Sequence, residues 1–122
     1  MSNRPRIGVL VLAALLGCGG GAPSRESARD QATTLTCQQF ARCMDIGTGK
    51  TYPTADDCQI QWQGTWDGKW PAADCEGKIN QDGFDTCMAA IRGTSCTLGD
   101  LVNTLGKCDK KFVCATGSAD GG

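Results

Sequence analysis

Eight cysteines spread almost evenly over residues 37–114 constrain this chain more than any other feature. Cys37, Cys43, Cys58, Cys75, Cys87, Cys96, Cys108 and Cys114 are separated in turn by 5, 14, 16, 11, 8, 11 and 5 residues. A structural zinc site favours thiols only a few residues apart, so that two reach one ion. No such pair exists here, and the chain has no histidine to complete a ligand set. No metal is therefore expected. A redox-active Cys-x-x-Cys is missing as well. What remains is a framework of four disulfides, the natural state of an even set of thiols in an oxidising compartment. Eight cysteines allow 105 pairings. Spacing suggests one local bridge, Cys43 to Cys58, across a helix-loop-helix corner.

The framework has a physical reason. Residues 34–114 are only 81 in number, and the whole chain holds seven aromatic rings. A core that small is marginal alone. A bridge that closes a loop of about 15 residues contributes roughly 3 kcal/mol by loop-closure entropy. Four such bridges would offset a thin core.

The chain has a ninth cysteine, Cys18. Ahead of it, Arg4 and Arg6 form a positive segment, and the ten residues from Ile7 to Leu16 are apolar except for Gly8. A membrane-spanning helix needs roughly 20 apolar residues, so this stretch reads as the apolar part of a signal peptide. It ends in Leu15-Leu16-Gly17-Cys18. These four residues resemble the lipobox of bacterial lipoproteins at every position. The resemblance implies that residues 1–17 are a cleaved signal peptide, that the cut falls between Gly17 and Cys18, and that Cys18 carries a covalent lipid. Acyl chains of the palmitate kind contribute about 0.8 kcal/mol per buried methylene, and two or three together make a lasting membrane anchor. Assigning Cys18 to the lipid also turns an odd cysteine count into an even one. Gly19, where an Asp would signal retention elsewhere, suggests by the same resemblance the outer membrane of a Gram-negative bacterium, facing the periplasm or the cell surface.

After the anchor, residues 18–33 hold the lipidated cysteine and a small, polar and charged stretch, GGGAPSRESARDQAT, with no apolar period. This is expected to be a flexible tether, its ends about 20 Å apart on average. Residues 115–122 read as a disordered tail. Between them, residues 34–114 read as one cysteine-rich helical domain. Cys37, Phe40, Ala41 and Met44 follow the spacing of one helix face, ended by Gly47 and Gly49. Thr54 to Asp57 reads as a capping box that opens a helix carrying Cys58 and Trp62, stopped near Trp70-Pro71. Phe84, Cys87, Met88 and Ile91 make a third face, closed by Gly93. Thr97 to Asp100 caps a fourth, with Leu98, Leu101, Val102 and Leu105, closed by Gly106. No segment shows the alternation of a strand. The expected fold is all-α, a disulfide-stapled bundle of about four short helices.

Side chains that could carry chemistry are few. Trp62, Trp66 and Trp70 recur every four residues. They read first as core packing or as contacts to disulfides, and alternatively as a stacking face for envelope glycans. Asn80-Gln81-Asp82-Gly83 has the look of a calcium loop, but its end positions are Lys78 and Ala89, which cannot ligate, so a helix cap at Asn80 or Asp82 is expected. The pairs Asp56/Asp57 and Asp82/Asp85 sit where helices begin, where acids favour the dipole. Lys107, Lys110 and Lys111 form a small cluster at a helix end. With no histidine, Ser-His and Cys-His catalysis is impossible. Of the serines, Ser24, Ser27 and Ser118 fall in the expected tether and tail, and Ser95 adjoins Cys96. A net charge of −1 and the lack of any long basic run give no footprint for nucleic acid.

A cysteine-rich helical domain behind a lipobox resembles small uncharacterised lipoproteins of myxobacteria and their relatives. That resemblance implies no activity. The expectation is a lipid-anchored envelope protein with a disulfide-rich, non-enzymatic interaction module, its partner a protein or an envelope glycan. The alternatives are a glycan-binding domain and, more remotely, an enzyme. No cofactor is expected beyond the lipid on Cys18.

Overall fold

The computed structural model describes residues 21–114, so the segment expected to be a signal peptide, Cys18 and residues 115–122, expected to be a tail, lie outside the described residues. The fold is all-helical. Four helices have ten residues or more: α1 (Arg25–Arg42), α2 (Ala55–Lys69), α4 (Gln81–Arg92) and α5 (Leu98–Lys107). Two single turns, α3 (Ala72–Cys75) and α6 (Lys110–Val113), complete the order. Among the described residues there is no strand, only an isolated bridge between Ile46 and Tyr52 that pinches the loop after α1.

Helix starts follow the caps read from the sequence. Thr54 accepts from the Asp57 amide, Asn80 from the Gly83 amide and Thr97 from the Asp100 amide. Each satisfies a donor that the first turn leaves without an intrahelical partner. At Asn80-Gln81-Asp82-Gly83 the cap is Asn80, and the segment is the start of α4.

The first helix departs from expectation. Residues 25–33, assigned above to a flexible tether, are the first half of α1, capped by Ser24. Two features of the sequence conceal this. The buried residues at this end are small, Ala28, Ala32, Thr33 and Thr36, so no strong apolar stripe appears. The long-range contacts are polar: Arg25 Nε donates to the Trp70 carbonyl at 2.6 Å, and both Arg25 and Arg29 pair with Asp67. At its other end α1 stops sooner than the spacing suggests. Met44, expected on the helical face, lies beyond the helix in the left-handed region, 71% exposed. Ala41 is exposed too, leaving Cys37 and Phe40 to face inward.

Small residues on α1 let α2 bring large ones. Trp66 and Trp70 are fully buried and Trp62 is 7% exposed. Their rings continue a row that runs from Tyr52 through Phe40, Trp62, Trp66 and Trp70 to Phe84, each neighbouring pair of centroids 4.8 to 6.3 Å apart. This range suits tilted and edge-on aromatic contact. Every indole nitrogen is satisfied: Trp62 donates to the Tyr52 hydroxyl, Trp66 to Thr36 and Trp70 to the Cys108 carbonyl.

Four disulfides fasten this core: Cys37–Cys58, Cys43–Cys96, Cys75–Cys114 and Cys87–Cys108. The local Cys43–Cys58 bridge does not form. Cys37, mid-helix in α1, faces the first turn of α2 and takes Cys58. Cys43 sits at the C-cap of α1, where the chain turns towards residues 95–97, and takes Cys96. Every bridge joins segments 21 or more residues apart.

Candidate functional site

The most apolar concavity among the described residues is a groove of about 380 Å³; two more polar ones are about 590 and 390 Å³. The groove's size falls within the range typical of ligand pockets. Five parts of the chain build it. The C-terminal half of α1 supplies Thr36, Gln39 and Phe40, and the pinched loop supplies Asp45 and Tyr52. From α2 come Trp62 and Trp66, and from α4 Ile91. The far wall is residues 94–105, which carry Leu98, Leu101 and Leu105.

This wall stands off from the rest for a structural reason. The chief helix partner of α5 is α4 alone. Across the groove the wall is tied to α1 by the Cys43–Cys96 disulfide and by Gln39 Nε2, which donates to the Thr94 carbonyl at 2.8 Å. The helix stripe expected from Leu98, Leu101, Val102 and Leu105 is therefore only half covered. Leu101 and Leu105 pack against the core, while Leu98 is 74% exposed at the groove rim and Val102 is 60% exposed.

Most polar side chains in the groove are already bonded to protein. Thr94 and Thr104 share a hydroxyl contact, and each hydroxyl also lies within reach of the Ala90 carbonyl. Thr36 donates to the Ala32 carbonyl and accepts from Trp66. Asp45 is the one charged residue in the lining. No histidine, lysine or arginine lines it.

The residues singled out from the sequence fall in several places. The three indoles do lie in one row, but as core: their burial rules out an open stacking face for glycans. Trp62 and Trp66 reach the groove only as its floor. Asp56, Asp57, Asp82 and Asp85 are exposed at helix starts, where Asp57 accepts from the Thr54 hydroxyl and Asp85 from Gln81. Lys110 pairs with Asp74 at 2.7 Å, Lys111 lies over the Phe112 ring, and Lys107 ends α5. The Lys110 ammonium holds the Asp74 carboxyl below its ordinary range, and Asp74 in turn raises Lys110. Ser24 caps α1, Ser27 lies in its first turn, and Ser95 bonds within the turn before α5. Cys18 and Ser118 lie outside the described residues. Sequence reasoning missed the groove itself, because its lining comes from segments up to 69 residues apart, Thr36 to Leu105.

These features define a small all-helical domain, held by four disulfides around a row of buried aromatic rings, with a single-sided apolar groove. The chain belongs to the DUF6184 family, a family of unknown function, whose family model matches residues 37–116. The matched segment begins at the first bridged cysteine and extends just past the last. No curated protein and no solved structure shows a significant match to the chain.

Proposed function

We propose that this chain is a lipid-anchored protein of the outer membrane whose disulfide-held domain binds a partner through the apolar groove and does no chemistry of its own. The observation that carries the reading is the cysteine pairing. All eight cysteines of residues 37–114 are bridged to one another. Cys18, in the Leu15-Leu16-Gly17-Cys18 segment, is thus left over for the lipid that its lipobox implies. The domain holds no helix, among the described residues, that is long and apolar enough to cross a membrane. Attachment in this reading comes from the lipid.

The placement of the groove suits a tethered binder. Helix α1 begins at Arg25, close in sequence to Cys18, and rises about 1.5 Å per residue. Thr36 and Cys43, which mark the groove, therefore lie about 16 and 27 Å along the axis from Arg25. The groove sits at the end of α1 away from the anchor, where a partner in the surrounding compartment can reach it.

A photo-crosslinking amino acid at Leu98, on the exposed rim, tests the reading in intact cells. The membrane-bound chain should give a specific adduct from Leu98 and none from the equally exposed Ile60 on α2. Replacing Cys18 with Ala should release the chain from the outer-membrane fraction. An unchanged distribution of that variant would remove the anchor, and equal labelling from both positions would remove the groove as the binding surface.

A further inference from the structure

We infer that the groove holds one aliphatic chain of an uncharged or cationic amphiphile, an assignment that rests on the groove being the binding surface proposed above. Three observations define this ligand. The first is the lining. Phe40, Trp62 and Trp66 form an aromatic floor, and Ile91, Leu101 and Leu105 face it with aliphatic side chains. The polar groups among them already bond one another: Gln39 to the Thr94 carbonyl, Thr94 to Thr104, Trp66 to Thr36 and Trp62 to Tyr52. A polar ligand would leave its water partners and find few in return, the Thr51 and Tyr52 hydroxyls at most, so each polar group left unpaired weakens binding. A hydrocarbon chain loses nothing and gains the burial of its surface.

The second observation is size. A cavity of about 150 Å³ accepts a benzene ring. The groove, at about 380 Å³, is roughly two and a half times larger. One chain of about a dozen carbons fits that space, and the two or three chains of a membrane phospholipid or lipoprotein do not.

The third is charge. Asp45 is the one lining residue charged at neutral pH, and no lysine or arginine lines the groove beside it. An anionic head group within a Debye length of Asp45, about 8 Å at physiological salt, meets repulsion from it. A hydroxyl or an ammonium head does not. Free fatty acids are thus disfavoured by the same groove that accepts their chains.

The test uses the full lipidated chain in phospholipid nanodiscs and reads its own tryptophans. Three probes share a twelve-carbon chain that carries a nitroxide quencher and differ in the head: hydroxyl, trimethylammonium or carboxylate. The expected result is saturable quenching by the first two, with the carboxylate weaker by about tenfold. Leu98→Lys, at an exposed position that folding does not use, should reverse the preference towards the carboxylate. Leu101→Phe, which fills part of the groove without adding a tryptophan, should weaken quenching with helical content unchanged. Tightest binding of the carboxylate by the native chain would overturn the charge argument, and no saturable quenching by any probe would overturn the ligand class. If a protein adduct from Leu98 persists in that last case, the amphiphile falls while the groove stands as a protein-binding surface.

Discussion

Gly83, in the first turn of α4, lies directly beneath the backbone carbonyl of Phe112. A methyl group on Gly83 would overlap that oxygen and the carbon behind it. The contact docks the C-terminal turn onto α4, together with the Asn80 amide, which donates to the Val113 carbonyl at 2.6 Å. Neither partner is the far end of a movable side chain. Gly83→Ala should therefore destabilise the domain by about 1–3 kcal/mol, the usual cost of overpacking. Gly68, inside α2, faces open space. Gly68→Ala should stabilise by up to about 1 kcal/mol, because alanine is the better helix former. Thermal unfolding followed by circular dichroism should show shifts of opposite sign. Equal shifts in the two variants would contradict the placement of the C-terminal turn.

Met44 ends α1 in a conformation that suits glycine. Its φ is +62°, its amide donates to the Ala41 carbonyl, and the next amide, of Asp45, reaches the Phe40 carbonyl. This is the hydrogen-bond pattern of a Schellman motif, with methionine where glycine is usual. A non-glycine residue in the left-handed region costs about 1–2 kcal/mol. Its side chain is exposed, so little packing opposes a change. Met44→Gly should raise stability by about 0.5–1 kcal/mol after the added freedom of the unfolded chain is counted. A fall in the unfolding midpoint would show that the side chain has a contact beyond this turn.

Asp100 gives the groove wall a pH dependence. The Ser95 amide, and after it the Ser95 hydroxyl, hold its carboxyl below the ordinary value of 3.8. A depressed folded-state value means that the unfolded chain takes up a proton first as the pH falls. The stabilisation is therefore complete above about pH 4 and is lost as the pH drops through the folded value, below 3.8. Asp74 shifts in the same direction, through Lys110. Asp100→Asn should lower the unfolding midpoint at neutral pH and flatten its fall in acid. A native midpoint that does not change between pH 5 and pH 2 would contradict the capping role, these pH values spanning the ordinary carboxylate range of about 4.

The four disulfides should open in a fixed order. Cys96 is exposed and Cys43 half-buried, whereas Cys37, Cys58, Cys87 and Cys108 are buried and Cys75 is buried against half-buried Cys114. Thiol–disulfide exchange needs access of the attacking thiolate to a sulfur. Graded treatment of the folded chain with a dithiol, followed by alkylation and peptide mapping, should label Cys43 and Cys96 first. Loss of this bridge leaves the wall on its α4 contacts and the Gln39–Thr94 hydrogen bond, so groove occupancy should fall before helicity does. First labelling at Cys87 and Cys108 would contradict the burial pattern.

The legible and illegible parts of this fold divide along physical lines. Helix starts at Thr54, Asn80 and Thr97 were readable because a cap is a local event, complete within four residues. The face of Phe84, Cys87, Met88 and Ile91 was readable because large apolar residues mark it, and all four are buried. The front of α1 was not, since Ala28, Ala32 and Thr36 are inside only because the α2 indoles need small neighbours. Arg25 reads as a tether charge until Asp67 and the Trp70 carbonyl, more than 40 residues on, are seen to receive it. Cys43 and Cys58 look like partners along the chain, yet the turn at Met44 carries Cys43 away towards Cys96. The groove is the extreme case. Trp62 and Trp66 stand out in the sequence, but their role as a covered floor depends on a wall that comes from residues 94–105.

The first measurement is peptide mapping of the unreduced chain, made in a Gram-negative host and recovered without reductant. The expected result is an N-terminal peptide that begins at acylated Cys18, no free thiol, and four linked peptides joining Cys37 to Cys58, Cys43 to Cys96, Cys75 to Cys114 and Cys87 to Cys108. An unacylated Cys18, a free thiol among the other eight, or a linked Cys43–Cys58 peptide would contradict it.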